Sequence, residues 1–350
     1  MRICVVGDGI AGTLLSWRLA TRARVQLVTG GATTRRDATG ASGGLVRGFE
    51  TARVNAADAV RSLAELYGDA HLRAVAGFRE TGSVYLTRDP LDPATLGDIE
   101  DRLPGSVSVT SPAAVTERYG LHGDPADGVA VVERRAGFLS PGRLRDAIMA
   151  TLPALGVEVV RAPLARVEGD DHPRYEAGGT VATADAIVLA TGAWTGPLLA
   201  ASGLDAGGLR TKAVQYTIFE VVGSCPPPFV DERSGLYGRP AGPGRILLGL
   251  PSDRWDVPPP IWVAAAEVEQ VRAIARTVLP GLRLLAAVCS VAAVDSYAED
   301  GQLRLRRVAP GVFTFTGGSG GAAKTALAAA ARAAAQLLPT AVPALQARKD

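Results

Sequence analysis

A glycine-rich turn between an apolar strand and an amphipathic helix constrains the fold of this chain more than any other feature. Gly7, Gly9 and Gly12 form a GxGxxG motif. In such a turn the first glycine permits a tight bend, the second lets the backbone approach a pyrophosphate, and the third lets helix and strand pack closely. The flanking strand, helix and second strand are predicted at residues 3–6, 13–22 and 25–28. This βαβ unit predicts dinucleotide binding at the helix N-terminus.

The first motif leaves the identity of the dinucleotide open. The second strand of such a unit usually ends in Asp or Glu, which binds the ribose hydroxyls, but Thr29 occupies that position. Arg35 and Arg36 follow nearby. A small residue with neighbouring arginines is compatible with the 2′-phosphate of NADP, and equally with FAD held through a weaker ribose contact.

Composition indicates an ordinary globular protein with room for two domains. The chain has 350 residues, 47% of them hydrophobic and 21% charged, and its net charge is +2. A near-neutral chain with scattered basic residues does not indicate a nucleic-acid or membrane partner. The three cysteines and three histidines lie far apart, so no metal site is predicted. No signal peptide or membrane-length apolar run is visible, so we expect a cytoplasmic protein.

The order of elements along the chain predicts two interleaved domains in an α/β fold (α+β overall). Dinucleotide-domain material is predicted at residues 1–80, 137–205 and 295–350, in a Rossmann-like arrangement. Residues 81–136 and 206–294 are predicted to form a substrate domain with a mixed antiparallel sheet.

A second glycine-rich loop lies near the C-terminal end. Residues 317–321 (GGSGG) follow a predicted strand and open an Ala-rich helix over residues 322–338. Backbone N–H groups at a helix N-terminus stabilise negative charge. The loop therefore predicts a second contact with a cofactor, at the end opposite the first motif.

Five segments, in order along nearly the whole chain, resemble the D-amino-acid oxidase superfamily, particularly glycine oxidase and monomeric sarcosine oxidase. They are DATGASGGLVR (37–47), TGSVYL (81–86), AGFLSP (136–141), AIVLATGAW (186–194) and, after Asp300-Gly301, VFTFTGGSGGAAK (312–324). The resemblance implies a Rossmann-like FAD-binding domain and a flavin that accepts hydride from a small-molecule amine, with an imine as first product. It implies O₂ or another electron acceptor and leaves the oligomeric state open.

The motifs and the resemblance together predict a set of cofactor-binding residues. They are Gly7, Gly9, Ile10, Ala11, Gly12, Thr29, Arg36, Ser42, Gly43, Gly44, Leu164, Thr191, Gly192, Trp194, Gly318, Ser319, Gly320, Gly321, Ala322 and Lys324. Cys289 joins them as a hypothesis, because sarcosine oxidases attach FAD through a cysteine at a similar distance before the C-terminal lysine. A thiolate there could attack the 8-methyl position of the flavin.

The resemblance also implies the catalytic candidates. Lys324 and Arg47 fall on family positions that are similar to a carboxylate anchor and to a flavin-side arginine, and Tyr237 and Arg239 begin a hairpin of the substrate domain. The oxygen-activating lysine of sarcosine oxidases would fall near Leu247, where it is absent. Fast reaction with O₂ is therefore not expected.

Two alternatives remain open at the level of sequence. One is an NADP-dependent reductase, suggested by Thr29, Arg35 and Arg36. The other is a non-catalytic flavin-binding subunit. The chain contains one complete strand–GxGxxG–helix unit, which favours electron donation by the substrate itself over a second, nicotinamide dinucleotide.

Overall fold

A computed structural model describes residues 1–30, 37–122 and 128–338. Arg35 and Arg36 lie outside these residues, as does the end of the predicted dinucleotide domain beyond residue 338. The helices are α1 (Ile10–Leu19), α2 (Arg53–Gly68), α3 (Ala70–Ala76), α4 (Pro93–Arg102), α5 (Pro112–Tyr119), α6 (Pro141–Thr151), α7 (Thr195–Ala201), α8 (Ala265–Val278) and α9 (Ala322–Leu337).

The strands alternate with these helices along the chain. They are β1 (Arg2–Val6), β2 (Arg24–Thr29), β3 (Leu45–Val46), β4 (Arg79–Glu80), β5 (Ser83–Thr87), β6 (Val107–Thr110), β7 (Val129–Glu133), β8 (Gly137–Phe138), β9 (Glu158–Arg161), β10 (Leu164–Glu168), β11 (Arg174–Ala177), β12 (Thr180–Thr183), β13 (Ala186–Leu189), β14 (Arg210–Val222), β15 (Phe229–Asp231), β16 (Tyr237–Pro240), β17 (Arg245–Gly249), β18 (Arg283–Tyr297), β19 (Arg304–Ala309) and β20 (Val312–Thr316).

A six-stranded sheet with the order β19-β20-β13-β1-β2-β9 carries the GxGxxG turn. Its strands are parallel except for the β19–β20 hairpin. Val5 at its centre pairs with Leu27 on one side and Val188 on the other, and all three are buried. Helices α1 and α9 cover one face of this sheet, and the three-stranded sheet β10-β11-β12 with α7 covers the other. Because both faces are buried, the central strands are mostly apolar. Strand β13 joins β1 directly and so brings the turn after Leu189 beside the GxGxxG turn.

An eight-stranded mixed sheet with the order β18-β14-β17-β16-β15-β5-β7-β6 forms the second large layer. Most of its neighbours are antiparallel, and β5 and β15 are parallel. Its strands come from residues 83–133 and 210–297. The predicted α/β fold with a second, mostly antiparallel sheet is confirmed, whereas the exact domain boundaries stay a prediction.

Residues 56–77 have the apolar periodicity of one helix, but the structure divides this region between two helices. Asp69 separates α2 from α3, and its side chain accepts a hydrogen bond from the Leu72 N–H at 2.8 Å. An aspartate that caps a helix start adopts an extended backbone, which interrupts the preceding helix. Gly77 then ends α3 in the left-handed conformation, with φ of 61°.

Two further findings concern functions that the described residues do not support. No helix within residues 1–30, 37–122 or 128–338 is long and apolar enough to cross a membrane. In the same three segments, no group of three or more His, Cys, Asp and Glu side chains could hold a metal ion.

Candidate cofactor and substrate site

A cavity of about 720 Å³ runs between the two glycine-rich turns. It extends from Gly30, at the carboxyl end of β2, past the N-terminus of α1 to the loop before α9. Twelve of the predicted cofactor-binding residues line it: Gly7, Gly9, Ile10, Ala11, Ser42, Leu164, Thr191, Gly192, Trp194, Gly318, Gly320 and Ala322. The turns predicted to hold opposite ends of one cofactor therefore face the same cavity.

The three glycines of the first motif differ in the contacts that a side chain would make at each position. Gly7 has φ of 106°, and a Cβ there would lie 2.5 Å from the carbonyl oxygen of Ala190. A Cβ on Gly12 would lie 1.9 Å from the carbonyl oxygen of Gly7, so close packing of helix and turn requires glycine. Gly9 differs, because a Cβ there would meet only the Thr39 hydroxyl at 3.4 Å, an ordinary contact. The protein itself therefore tolerates a side chain at Gly9, and the space beside it fits the approach of a pyrophosphate.

The loop after β2 folds back onto the first turn of α1. The Thr39 hydroxyl accepts a hydrogen bond from the Ile10 N–H at 3.0 Å, and Thr39 also lines the cavity. Gly44 has φ of 70°, and a Cβ there would lie 2.0 Å from the carbonyl oxygen of Leu139. Gly44 thus holds the loop against the segment before α6 rather than lining the cavity. Sequence reasoning missed Thr39, whose partner Ile10 lies 29 residues away.

An ion pair at the cavity wall was also missed from the sequence. The Arg145 guanidinium, on α6, lies 2.8 Å from the Asp37 carboxylate, and both residues line the cavity. Burial alone would lower the pKa of Arg145, but its hydrogen bond to Asp146 and the charge of Asp37 outweigh burial and raise that pKa. Asp37 follows Thr29 by eight residues and supplies a carboxylate to the cavity that Gly30, at the end of β2, also lines.

The second glycine-rich loop is fixed by hydrogen bonds to the end of β18. Ser319 adopts φ of 50°, and its hydroxyl donates to the carbonyl oxygen of Gly317 at 3.1 Å. The Gly320 N–H donates to the Asp295 carboxylate at 2.9 Å. Gly318 and Gly320 line the cavity, while Ser319 shapes the turn.

Lys324 and Arg47, the two predicted cationic site residues, are both paired with the same carboxylate. The Lys324 Nζ lies 3.0 Å from Glu50 Oε1, and the Arg47 Nη2 lies 2.7 Å from that oxygen. All three side chains are largely buried. Burial lowers the pKa of Lys324, whereas the charge of Glu50 raises it. The structure brings the two cations together, but their charge is already partly neutralised from within the protein.

A further buried carboxylate supports this cluster. Glu133 accepts hydrogen bonds from the Gly48 N–H at 2.8 Å and the Phe49 N–H at 2.9 Å. Burial raises the pKa of Glu133, against the opposing effect of those two bonds. Glu133 therefore fixes the backbone between Arg47 and Glu50.

Tyr237 and Arg239 lie on one face of β16, toward the loop after β2. The Arg239 Nε donates to the carbonyl oxygen of Gly43 at 2.6 Å, and the Tyr237 hydroxyl donates to the carbonyl oxygen of Gln215 at 3.2 Å. Burial lowers the pKa of Arg239, and burial likewise raises the pKa of Tyr237 well above its usual range. Neither residue is part of the cavity lining.

Cys289 lies on the edge strand β18, where it pairs with Ile218, and its side chain is exposed. Asp295, which does line the cavity, is six residues further along the same strand. At the rise of an extended strand this is roughly 20 Å. The structure does not bring Cys289 to the cavity.

Several other predicted cofactor-binding residues surround the cavity without lining it. They are Gly12, Thr29, Gly43, Gly44, Ser319, Gly321 and Lys324. Gly12 and Gly44 allow close backbone packing, Ser319 shapes its turn, and Thr29 is buried at the end of β2. Arg36 lies outside the described residues.

Comparisons with known proteins identify the class of protein that contains this cavity. Residues 2–337 match the DAO family model, described as FAD dependent oxidoreductase. The chain belongs to this family, and it is an FAD-dependent oxidoreductase. The resemblance noted in the sequence is thereby confirmed, and FAD rather than NADP is the dinucleotide. A search of curated proteins finds no match.

Solved structures show the same fold at low sequence identity. L-proline dehydrogenase from P. horikoshii is 19% identical, with a TM-score of 0.77 over 96% of this chain and 93% of that one. Glycine oxidase from Geobacillus kaustophilus is 19% identical, with a TM-score of 0.74 over 96% of this chain and 95% of that one. Iminodiacetate oxidase from Chelativorans sp. BNC1 is 18% identical, with a TM-score of 0.73 over 96% and 95%.

Proposed function

We propose that this protein oxidises the C–N bond of a small-molecule amine or amino-acid-like compound, with hydride transfer to FAD and an imine as first product. The observation that carries the proposal is the continuous cavity between the GxGxxG turn and the Gly318–Gly320 loop, beside the end of β18. The solved structures of the same fold include a proline dehydrogenase, a glycine oxidase and an iminodiacetate oxidase, and each name specifies a nitrogen-containing compound.

The chain's own residues would position the cofactor and stabilise its charge. The N-terminus of α1, with Gly9 beside it, suits the pyrophosphate of FAD. The first turn of α9, with Ala322 and Ala323 in the cavity lining, would present backbone N–H groups where negative charge develops as a flavin is reduced. When bound, FAD supplies the hydride acceptor; the protein holds the substrate C–H bond close to it and excludes water.

Arg145 is proposed as an additional cofactor-binding residue. It lies in the cavity wall, where Nη1 is 2.8 Å from Asp37 and Nε is 2.9 Å from Asp146, and its remaining N–H groups would donate hydrogen bonds to the phosphates of FAD. We expect Arg145→Ala to raise the Kd for FAD about tenfold, measured by fluorescence titration of the apoprotein.

Arg143 provides the matched control for this prediction. It lies two residues earlier on α6 and its side chain is exposed outside the cavity. Arg143→Ala should leave the Kd for FAD within about twofold. Equal effects of the two substitutions would remove Arg145 from the cofactor site.

A covalent bond between FAD and Cys289 is the finer hypothesis about the cofactor. Because Cys289 lies roughly 20 Å from Asp295 along β18, we expect non-covalent binding. Acid precipitation should therefore leave the yellow colour in the supernatant. A yellow pellet that turns colourless in Cys289→Ser would establish the bond.

Anaerobic mixing with candidate substrates tests the proposed function. The FAD-loaded protein should lose its absorbance at about 450 nm with at least one candidate substrate. The panel consists of D- and L-amino acids, N-methyl amino acids, cyclic imino acids and simple amines. The absence of bleaching across the panel would favour the alternative of a non-catalytic flavin-binding subunit. Oxygen uptake by the reduced protein would then decide whether O₂ is its electron acceptor.

A further inference from the structure

Asp295 is a carboxylate in the wall of the cavity, and it also holds the second glycine-rich loop. It lies near the end of β18, and both it and Val294 line the cavity. One carboxylate oxygen accepts a hydrogen bond from the Ser296 N–H at 2.8 Å, and the other accepts one from the Gly320 N–H at 2.9 Å. These two bonds fix the carboxylate at the flavin end of the cavity, against the loop that opens α9.

No cation among the described residues pairs with this carboxylate. Within the three described segments, no Lys, Arg or His nitrogen lies within 4.0 Å of its oxygens. Lys212 is its register partner on β14, but the Lys212 amino group lies 4.4 Å from the centre of the Trp255 ring instead. Burial raises the pKa of Asp295, and the two backbone hydrogen bonds only partly offset this effect. A half-buried carboxylate that no cation of the described residues contacts is complementary to a cation that enters the cavity.

The two cations predicted at the site are, by contrast, already paired with a carboxylate. Lys324 and Arg47 both contact Glu50, at 3.0 and 2.7 Å. The uncompensated charge at the flavin end of the cavity is therefore negative. Ala323 also lines the cavity there, and its small side chain leaves room for alkyl groups.

We propose that Asp295 forms an ammonium subsite that selects substrates by their protonated amine rather than by a carboxylate. This inference rests on the proposed function and specifies its substrate class as alkylamines or related organic cations. A proton passes from the substrate ammonium to the Asp295 carboxylate, which leaves a neutral amine with a free electron pair. FAD, when bound, would supply the acceptor for the hydrogen that leaves the carbon with its electron pair; the amine would become an iminium ion, and Asp295 would later release its proton to water.

A pair of ions of nearly identical shape tests the subsite. tert-Butylammonium and pivalate carry opposite charges on the same branched alkyl group, and neither has a hydrogen on the carbon that bears the charged group, so tert-butylammonium cannot be oxidised there. Their Kd values are measured from the perturbation of the flavin spectrum in FAD-loaded protein, with tert-butanol as the neutral reference. We expect tert-butylammonium to bind at least about tenfold more tightly than pivalate.

Substitution of Asp295 should remove this preference. Asp295→Asn should raise the Kd for tert-butylammonium at least about tenfold and change that for tert-butanol by less than about twofold. Asp295→Glu keeps the charge and should retain the preference for the cation. Glu299→Gln makes the same charge change on a nearby exposed residue outside the cavity and should have no effect.

The outcomes separate this inference from the proposed function. Tighter binding of pivalate, no binding of tert-butylammonium, or an Asp295→Asn variant with an unchanged Kd for it would each overturn the ammonium subsite. If Asp295→Asn fails to retain FAD, the ratio of the Kd values for pivalate and tert-butylammonium in the wild-type protein and in the Asp295→Glu variant still tests the subsite. Bleaching of the flavin by amines with no role for Asp295 would contradict only the subsite. Charge-selective binding without bleaching by any amine would contradict only the proposed oxidation.

Discussion

Replacement of Gly9 with valine is expected to abolish FAD binding and to leave the apoprotein folded. A Cβ on Gly9 meets only the Thr39 hydroxyl, at 3.4 Å, and Gly9 has an ordinary φ of −65°. The protein therefore does not need glycine at this position, whereas a pyrophosphate approaching the N-terminus of α1 does. We expect the Kd for FAD to rise on the order of a hundredfold or more, while the melting temperature of the apoprotein changes by less than about 3 °C.

Two other glycines provide the controls. Gly142 lies on α6, and a Cβ there has no atom within 4 Å, so Gly142→Ala should leave both FAD binding and stability unchanged or slightly improved. Gly12→Val should prevent folding altogether, because its Cβ would lie 1.9 Å from the carbonyl oxygen of Gly7. A Gly9→Val protein that binds FAD normally would show that the cofactor does not pass this turn.

Replacement of Glu50 with glutamine is expected to cause the largest loss of stability among single charge changes at the site. Glu50 holds the buried cations Arg47 and Lys324 at 2.7 and 3.0 Å. Without its charge, the two buried cations lose the one carboxylate that both of them contact, and only Arg47 still interacts with a neighbouring carboxylate, that of Glu133. Removal of one partner from a buried ion pair costs about 3–5 kcal/mol, which corresponds to a decrease of roughly 4–7 °C in Tm for a chain of this length.

The double variant isolates the electrostatic origin of this effect. Lys324→Met alone leaves Glu50 paired with Arg47 and should cost less, about 1–2 kcal/mol. Glu50→Gln combined with Lys324→Met should be more stable than Glu50→Gln alone, because the unpaired ammonium is then absent. If the two single losses simply add in differential scanning calorimetry, the residues do not interact and the assignment of this cluster is wrong.

The glycine turns were predictable from the sequence because their requirements are local. Gly7 and Gly12 are needed for backbone contacts within one βαβ unit, and a motif of six residues encodes them. The break between α2 and α3 has an equally local cause in the cap at Asp69, but a long apolar periodicity concealed it. Local signals therefore predicted which helices and strands form better than they predicted where each one ends.

Contacts between distant segments were not predictable in this way. Arg145 meets Asp37 across 108 residues, and no spacing rule connects them. Lys324 was predicted as a carboxylate anchor and Arg47 as a flavin-side arginine from the positions they occupy, yet only the three-dimensional arrangement reveals Glu50 between them. Asp295 gave no signal at all, since an aspartate near the end of an alternating strand is usually solvated. Its role emerges only from the cavity that it lines.

We propose that one FAD occupies the cavity between the GxGxxG turn and the Gly318–Gly320 loop. Titration of the purified apoprotein with FAD, followed by absorbance at about 370 and 450 nm after removal of free cofactor, tests it directly. We expect FAD binding to saturate at one FAD per chain and NADP not to compete with it. A folded, colourless protein that retains no FAD, or that binds NADP in its place, would contradict it.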